Sequence, residues 1–184
     1  MKIAIIGGIG SGKSVALAAA KDIGFATLSA DEINSELLAQ PSYVESLARL
    51  FPAVVTDGKV DRRALAKIIF QDEGERKKLN SLAHPLIDER IKNDDRSPLV
   101  VEVPLILESG ARSLFDEIIL VKTPLDKRVE RLMSSRGMSR EEVTARIASQ
   151  ASEEDLEKVA TRVVENDNTP QDLQAKIKEV LKSF

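Results

Sequence analysis

Apolar and polar positions along this 184-residue chain fall into two rhythms. Short apolar runs recur at residues 2–7 (KIAIIG), 25–30 (FATLSA), 98–104 (PLVVEVP), 116–123 (DEIILVKT) and 161–166 (TRVVEN). Runs of this length read as short strands, and their near-continuous apolar character suits a parallel sheet covered on both faces. Between them the apolar residues return at helical spacing. Lys13–Ile23 reads as a helix stopped by Gly24. Leu125, Val129, Leu132 and Met133 recur at i, i+4, i+7 and i+8 and predict one apolar helix face. Thr169 and Pro170 supply a cap and a first helical residue, and Leu173, Ile177, Val180, Leu181 and Phe184 form the stripe of a final helix. Strands alternating with helices predict βαβ units around a five-stranded parallel sheet.

Two segments break the alternation. Residues 41–95 lie between the second and third strands and read as almost wholly helical. Residues 134–157 lie between the fourth and fifth strands and are rich in Arg, Ser and Glu. The expected layout is a single α/β domain over 1–184, with 41–95 as a helical insert for the acceptor and 134–157 as a lid.

Composition narrows the chemistry. A net charge of −3 and an aromatic content of 3 % argue against a nucleic-acid surface. Without cysteine and with His84 as the one histidine, disulfides, thiolate sites and histidine-cluster metal sites are excluded. The apolar run Ile3–Ile6 is too short for a secretion signal, and no apolar stretch approaches the ~20 residues that span a bilayer. A cytoplasmic enzyme or regulator is expected.

The first strand leads into GGIGSGKS, residues 7–14. Gly7, Gly12, Lys13 and Ser14 satisfy G-x-x-x-x-G-K-[ST] between a strand and a helix, the context in which that pattern cradles phosphates. Backbone N–H groups of Gly8, Ile9, Gly10, Ser11, Gly12, Lys13, Ser14 and Val15, with the helix N-terminus, would hold a nucleoside triphosphate. Lys13 would reach the β- and γ-phosphates and Ser14 would ligate Mg²⁺. The competing reading, a glycine-rich turn with an exposed lysine, fits the flanking elements poorly.

The acceptor side is carried by fewer residues. Asp31 follows the second strand, at the sheet end where ligands bind, and reads as a general base or, alternatively, as a helix N-cap. Glu102, near the end of the third strand, reads as a Mg²⁺ or acceptor contact or as a strand-end surface carboxylate. Residues 126–146 carry Lys127, Arg128, Arg131, Arg136, Arg140 and Arg146 against Asp126, Glu130, Glu141 and Glu142. Most of these suit a salt-bridged exposed helix. Arg136, beside Gly137 at a helix end, is the candidate phosphate contact.

These motifs resemble the dephospho-CoA kinase family nearly end to end. The loop matches, and SAD at 29–31 is similar to the family's Asp-Ala-Asp signature. The block 57–87 (DGKVDRRALAKIIFQDEGERKKLNSLAHPLI) is the most specific match, and VPLILES at 103–109, RLMSSRG, ASQ and VVEN are similar to later landmarks. The resemblance implies a three-layer P-loop core and ATP with Mg²⁺. It implies phosphorylation of the ribose 3′-hydroxyl of dephospho-CoA. It also implies that His84 belongs to the acceptor pocket, where the residues alone read as a helix-end histidine. A monomer or weak homo-oligomer is expected. The sequence departs from the family at Ser29, Ser35, Val15, Leu107, Arg128 and Thr161. Two other readings stay open: a kinase for another small molecule or nucleotide on the same core, and a nucleotide-binding regulator with little catalysis.

Overall fold

The computed structural model describes the backbone of residues 1–184 and all side chains except those of Phe70 and Glu108. The chain forms two compact units, one of Met1–Ser29 with Asp95–Phe184, the other of Ala30–Asp94.

The first unit is built on the apolar runs. β1 (Lys2–Ile6), β2 (Ala26–Leu28), β5 (Leu99–Glu102), β6 (Glu117–Lys122) and β7 (Arg162–Glu165) form one sheet in the order β2-β5-β1-β6-β7. Every pairing in it is parallel, with Ile3 opposite Val100 on one side of β1 and opposite Glu117 on the other. Each strand is shorter than its apolar run by one to three residues, because the run's ends already belong to the connecting turns. The apolar residues of the central strands are all buried, as runs without alternation require.

One face of the sheet is covered by α1 (Lys13–Asp22) and α10 (Pro170–Leu181). Ile3, Ile5, Val100, Ile119 and Val121 pack there against Ala16, Ala19 and Ala20 of α1 and Leu173, Ile177 and Leu181 of α10. The alanines of α1 give it a flat side that lets α10 approach. α10 starts as its sequence dictates, with Thr169 Oγ1 accepting from Asp172 N at 3.2 Å. It stops at Leu181, so Phe184 lies beyond the helix and is exposed. On the opposite face Ala4, Ile6, Leu99, Val101, Ile118 and Leu120 are buried, and α9 (Glu153–Val159) packs on β6. These helices on both faces complete three layers.

α7 (Leu125–Arg136) and α8 (Arg140–Ala148) follow β6. Val129, Leu132 and Val143 join them. The predicted four-residue stripe of α7 is only half inside: Val129 and Leu132 are buried, whereas Leu125 and Met133 are exposed. The i, i+4 pattern locates the helix, but α7 meets its neighbours along a narrower strip than a core helix does. Gly137, at φ 63°, ends α7, and Ser139 with Glu142 forms a reciprocal capping box that starts α8.

The second unit is helical with one correction to the expectation. α2 (Ala30–Leu38), α3 (Pro41–Leu50), α4 (Arg62–Gln71) and α5 (Glu73–Lys92) are joined, between α3 and α4, by a 3-10 turn at Pro52–Val54 and a two-stranded antiparallel hairpin, β3 (Val55–Thr56) and β4 (Lys59–Val60). The hairpin turn is Asp57-Gly58, both at positive φ (50° and 71°), the conformation of a type I′ turn. Asp61 then caps α4, its Oδ1 accepting from Arg63 N and Ala64 N at 3.0 Å, and Asp72 caps α5 through Glu75 N at 3.1 Å. The unit's apolar interior includes Ile33, Leu37, Tyr43, Leu47 and Ile91. Arg90 of α5 is clamped between Glu36 and Asp94, each at 2.7 Å, and these bonds raise its pKa further. The unit begins at Ala30 rather than at residue 41, so α2 belongs with it.

Candidate active site

The loop between β1 and α1 sits where the sheet order reverses. β1 has β5 on one side and β6 on the other, and ligands of open α/β sheets bind beyond the carboxyl ends of strands at such a point. The loop is held there from beneath. Ser11 is buried, and its carbonyl accepts from Thr123 Oγ1 (2.8 Å) after β6 and from Asn166 Nδ2 (2.7 Å) after β7. Gly12 enters α1 at φ 101°, and a Cβ there would lie 2.6 Å from Asn166 Nδ2 and 2.9 Å from Leu173 Cδ2. Conformation and crowding both require glycine at this position. No side chain caps α1, so its first N–H groups face outward for an anion.

A cavity of about 410 Å³ opens over this loop. Its walls include Ile9, Gly10, Gly12, Lys13, Ser14 and Val15 of the loop and α1, and Glu102 at the end of β5. Arg131, Ser134, Ser135 and Arg136 contribute from α7, Asn166 from just after β7, and Pro170 and Leu173 from the start of α10. The structure thus brings Lys13, Ser14, Glu102 and Arg136 to one cavity. Lys13 Nζ donates to the carbonyls of Gly7 (3.0 Å) and Gly8 (3.2 Å). Burial pulls its pKa below the ordinary lysine value; Glu102 opposes the shift, and Arg128 and Arg136 deepen it. A cation crowded by two guanidiniums over uncapped N–H groups is a site short of negative charge, which a polyphosphate supplies.

Arg128, read from sequence as part of an exposed charged helix, is buried. Its Nε donates to Ile9 O at 2.9 Å, and a Cβ on Gly8 would fall 2.2 Å from its Nη2. Asn166 and Arg131 (Nη2 to Asn166 Oδ1, 3.4 Å) also belong to the site. The position of Asn166, just past the carboxyl end of the last strand, is the sequence signal that could single it out. Thr161, by contrast, lies at the amino end of β7. Its Oγ1 accepts from Ile118 N at 2.9 Å and hydrogen-bonds Glu117, so this departure from the family ties two strands together at the sheet end opposite the loop. Leu107 lies in the short helix α6 (Ile106–Ser109) after β5, half-buried.

Asp31 and His84 belong to the second unit. Helix α2 begins at Ala30, after Ser29, so Asp31 is an exposed residue inside its first turn and not its N-cap; the capping alternative falls. Ser35 is exposed farther along the same helix. His84 is not at a helix end either. α5 runs through Pro85 to Lys92, and its packing against α2, α3 and α4 outweighs the bond that Pro85 removes. His84 is half-buried with Asp88 one turn on, and burial raises the pKa of Asp88 while His84 opposes that shift. Among the described residues, no group of three or more His, Cys, Asp or Glu side chains could cage a metal ion, and no helix is long and apolar enough to cross a membrane.

Comparison with known proteins agrees with this geometry. A dephospho-CoA kinase from Thermus thermophilus is 39 % identical over 183 residues, covering 97 % of this chain and 89 % of its own. Among solved structures, TT1252 from Thermus thermophilus is 39 % identical with a TM-score of 0.81, covering 100 % of this chain and 97 % of its own. A dephospho-CoA kinase from Campylobacter jejuni is 27 % identical with a TM-score of 0.69 and the same coverage. The family model for dephospho-CoA kinase matches residues 1–172, and the chain belongs to that family.

Proposed function

We infer that the protein transfers the γ-phosphoryl group of ATP to the ribose 3′-hydroxyl of dephospho-CoA, giving coenzyme A and ADP. The observation that carries this reading is the convergence of Lys13, Ser14, Glu102 and Arg136 on one cavity above an uncapped helix N-terminus, in a chain of this family. The loop N–H groups other than that of Ile9, which Gln150 Oε1 takes at 2.8 Å, bind the β- and γ-phosphates together with Lys13 and stabilise charge as it moves toward the bridging oxygen. Arg136, electrostatically coupled to Lys13, adds positive charge on the transferring group. Asp31 is assigned to the acceptor hydroxyl, which it orients and deprotonates as phosphorus–oxygen bond formation proceeds. His84 is assigned to the acceptor pocket, with the unit Ala30–Asp94 as the acceptor-binding insert and residues 134–152, ahead of α9, as the lid.

Mg²⁺ fits the donors present. The Ser14 hydroxyl is exposed at the cavity, Glu102 lines it, and the metal would take its remaining ligands from phosphates and water, as Mg²⁺ does in kinases. When bound, the ion neutralises charge on the β- and γ-oxygens. The reading is of a cytoplasmic enzyme that works as a monomer or weak homo-oligomer.

The direct test is incubation with ATP, Mg²⁺ and dephospho-CoA, with products followed by mass spectrometry. One phosphoryl group gained per ADP formed is the expected result. Little or no ADP formation with or without acceptor, despite ATP binding, would instead favour the nucleotide-binding regulator.

A further inference from the structure

Ile9 stands at the crest of the phosphate loop and is held on three counts by the segment from α7 to α9. Its side chain packs against the Val129–Leu132–Val143 cluster. Its N–H donates to Gln150 Oε1 at 2.8 Å, and its carbonyl accepts from Arg128 Nε at 2.9 Å. Both polar groups of one loop residue are thus taken by side chains more than a hundred positions away in the chain. Ile9 and Gly10 line the nucleotide cavity, whereas Arg128 lines a separate small cavity with Gly8, Ala151 and Glu153. Gln150 sits in the turn between α8 and α9, next to Ala151. Neither Arg128 nor Gln150 lines the nucleotide cavity itself; both hold the loop through Ile9.

A glycine-rich loop has many conformations open to it, and only those with N–H groups converging bind a phosphate chain. Ordering it costs affinity unless something orders it beforehand. We propose that Gln150 and Arg128 are positioning residues that preorganise the phosphate loop for the triphosphate by fixing the N–H and C=O of Ile9. The proposal rests on the reading of the cavity as the ATP site. It also ties loop to lid: displacement of the α8–α9 turn would release the Ile9 N–H and loosen the loop. Gln150 is the cleaner handle, because it is neutral and its replacement leaves the electrostatics of the cavity unchanged.

The test is Gln150→Met, which keeps length and removes the acceptor. The measurements are the Kd for ATP by titration calorimetry, the kcat, the KM for dephospho-CoA and the melting temperature. The expected result is a Kd for ATP raised about tenfold, the worth of roughly one hydrogen bond, with the KM for dephospho-CoA within about threefold of the parent. An unchanged Kd for ATP overturns the proposal. So does a parallel loss for both substrates with a collapsed melting temperature, since that is the signature of a merely structural contact. Hydrogen exchange at the Ile9 amide of the unmodified protein is an independent check: protection is expected, and exchange at the rate of an open loop overturns the proposal. Lys13→Ala separates the two readings, because unchanged ATP affinity in that variant would sink the assignment of the cavity itself.

Discussion

The phosphate loop and the hairpin corner at residues 57–61 are both short, patterned and built on glycine, and they use it in opposite ways. At Gly12 a Cβ would collide with Asn166 and Leu173, and the loop around it is gripped by Thr123, Arg128, Asn166 and Gln150. At Gly58 nothing lies within 4 Å of where a Cβ would be, and the residue serves only the positive φ of the turn. The aspartates differ likewise. Asp61 is consumed by two backbone N–H groups at the start of α4, whereas Asp31 stands exposed within a helical turn. The block 57–87 carries the resemblance to the family in the sequence reading, yet its Asp-Gly and its Asp-Arg are a turn and a cap. A pattern that identifies a family need not be the pattern that does its chemistry. Chemistry sits where several elements converge on a backbone that is itself left open.

That contrast can be broken by experiment, starting with the largest expected effect. Lys13→Ala should reduce turnover by roughly 10³-fold or more, because it removes charge from oxygens whose charge changes in the transition state. Steady-state kinetics showing a loss within about tenfold would count against the loop as the reacting centre. Asp31→Asn should lower kcat by roughly 10²-fold or more, with ATP binding near normal. Asp31 also favours the helix N-terminus, an effect of about 0.3–1 kcal/mol, so only a small fall in melting temperature should accompany the kinetic loss. Full activity in this variant would transfer the role of base to Glu102.

Two smaller effects sharpen the comparison. Arg136→Ala should lower kcat by about tenfold while raising the Kd for ATP less, because lid closure completes the site only with both substrates bound. A large loss of ATP affinity at unchanged kcat would make Arg136 a ground-state contact. Asp61→Ala should do the reverse of Asp31→Asn. Losing the cap costs about 1 kcal/mol, or roughly 2–4 °C in melting temperature, with kcat and KM intact. A catalytic defect here would erase the distinction between corner and loop.

The smallest effect concerns protons. Burial lowers the pKa of free Lys13, and bound phosphates would raise it again. Binding favours the charged lysine, so ATP affinity should be full below the lowered pKa and fall as pH rises through it. Between the lowered pKa of the free lysine and its raised value in the complex, ATP binding should take up a proton, measurable as a dependence of calorimetric enthalpy on buffer ionisation, and Lys13→Ala should abolish the uptake.

Much of this is legible in the sequence, for reasons that differ by residue. The five strands stand out because buried parallel strands are apolar without interruption, and the loop stands out because its pattern lies between a strand and a helix. The hairpin at Val55–Val60 is hidden inside a segment that reads as helical, since strands of two residues carry no periodicity; Asp57-Gly58 is its only trace. The exposure of Leu125 and Met133 is illegible because spacing locates a helix face but not how much of it is covered. The roles of Arg128 and Gln150 are invisible because their partner, Ile9, lies 119 and 141 positions away, and no local pattern encodes such a contact. Asp31 keeps a cap as its alternative reading in the sequence because helix starts are uncertain by a residue or two, which is the whole difference between a cap and a first turn.

The central claim is that the γ-phosphoryl group of ATP held by the loop goes to dephospho-CoA and not to a smaller nucleotide. The most direct measurement is kcat/KM for dephospho-CoA beside kcat/KM for AMP on the same preparation with ATP and Mg²⁺. Binding of the pantetheine arm, remote from the reacting hydroxyl, should be used at the reacting centre, so that AMP is the poorer acceptor by about 10²-fold or more. Equal values, or a preference for AMP, would contradict the account and make the protein a nucleotide kinase.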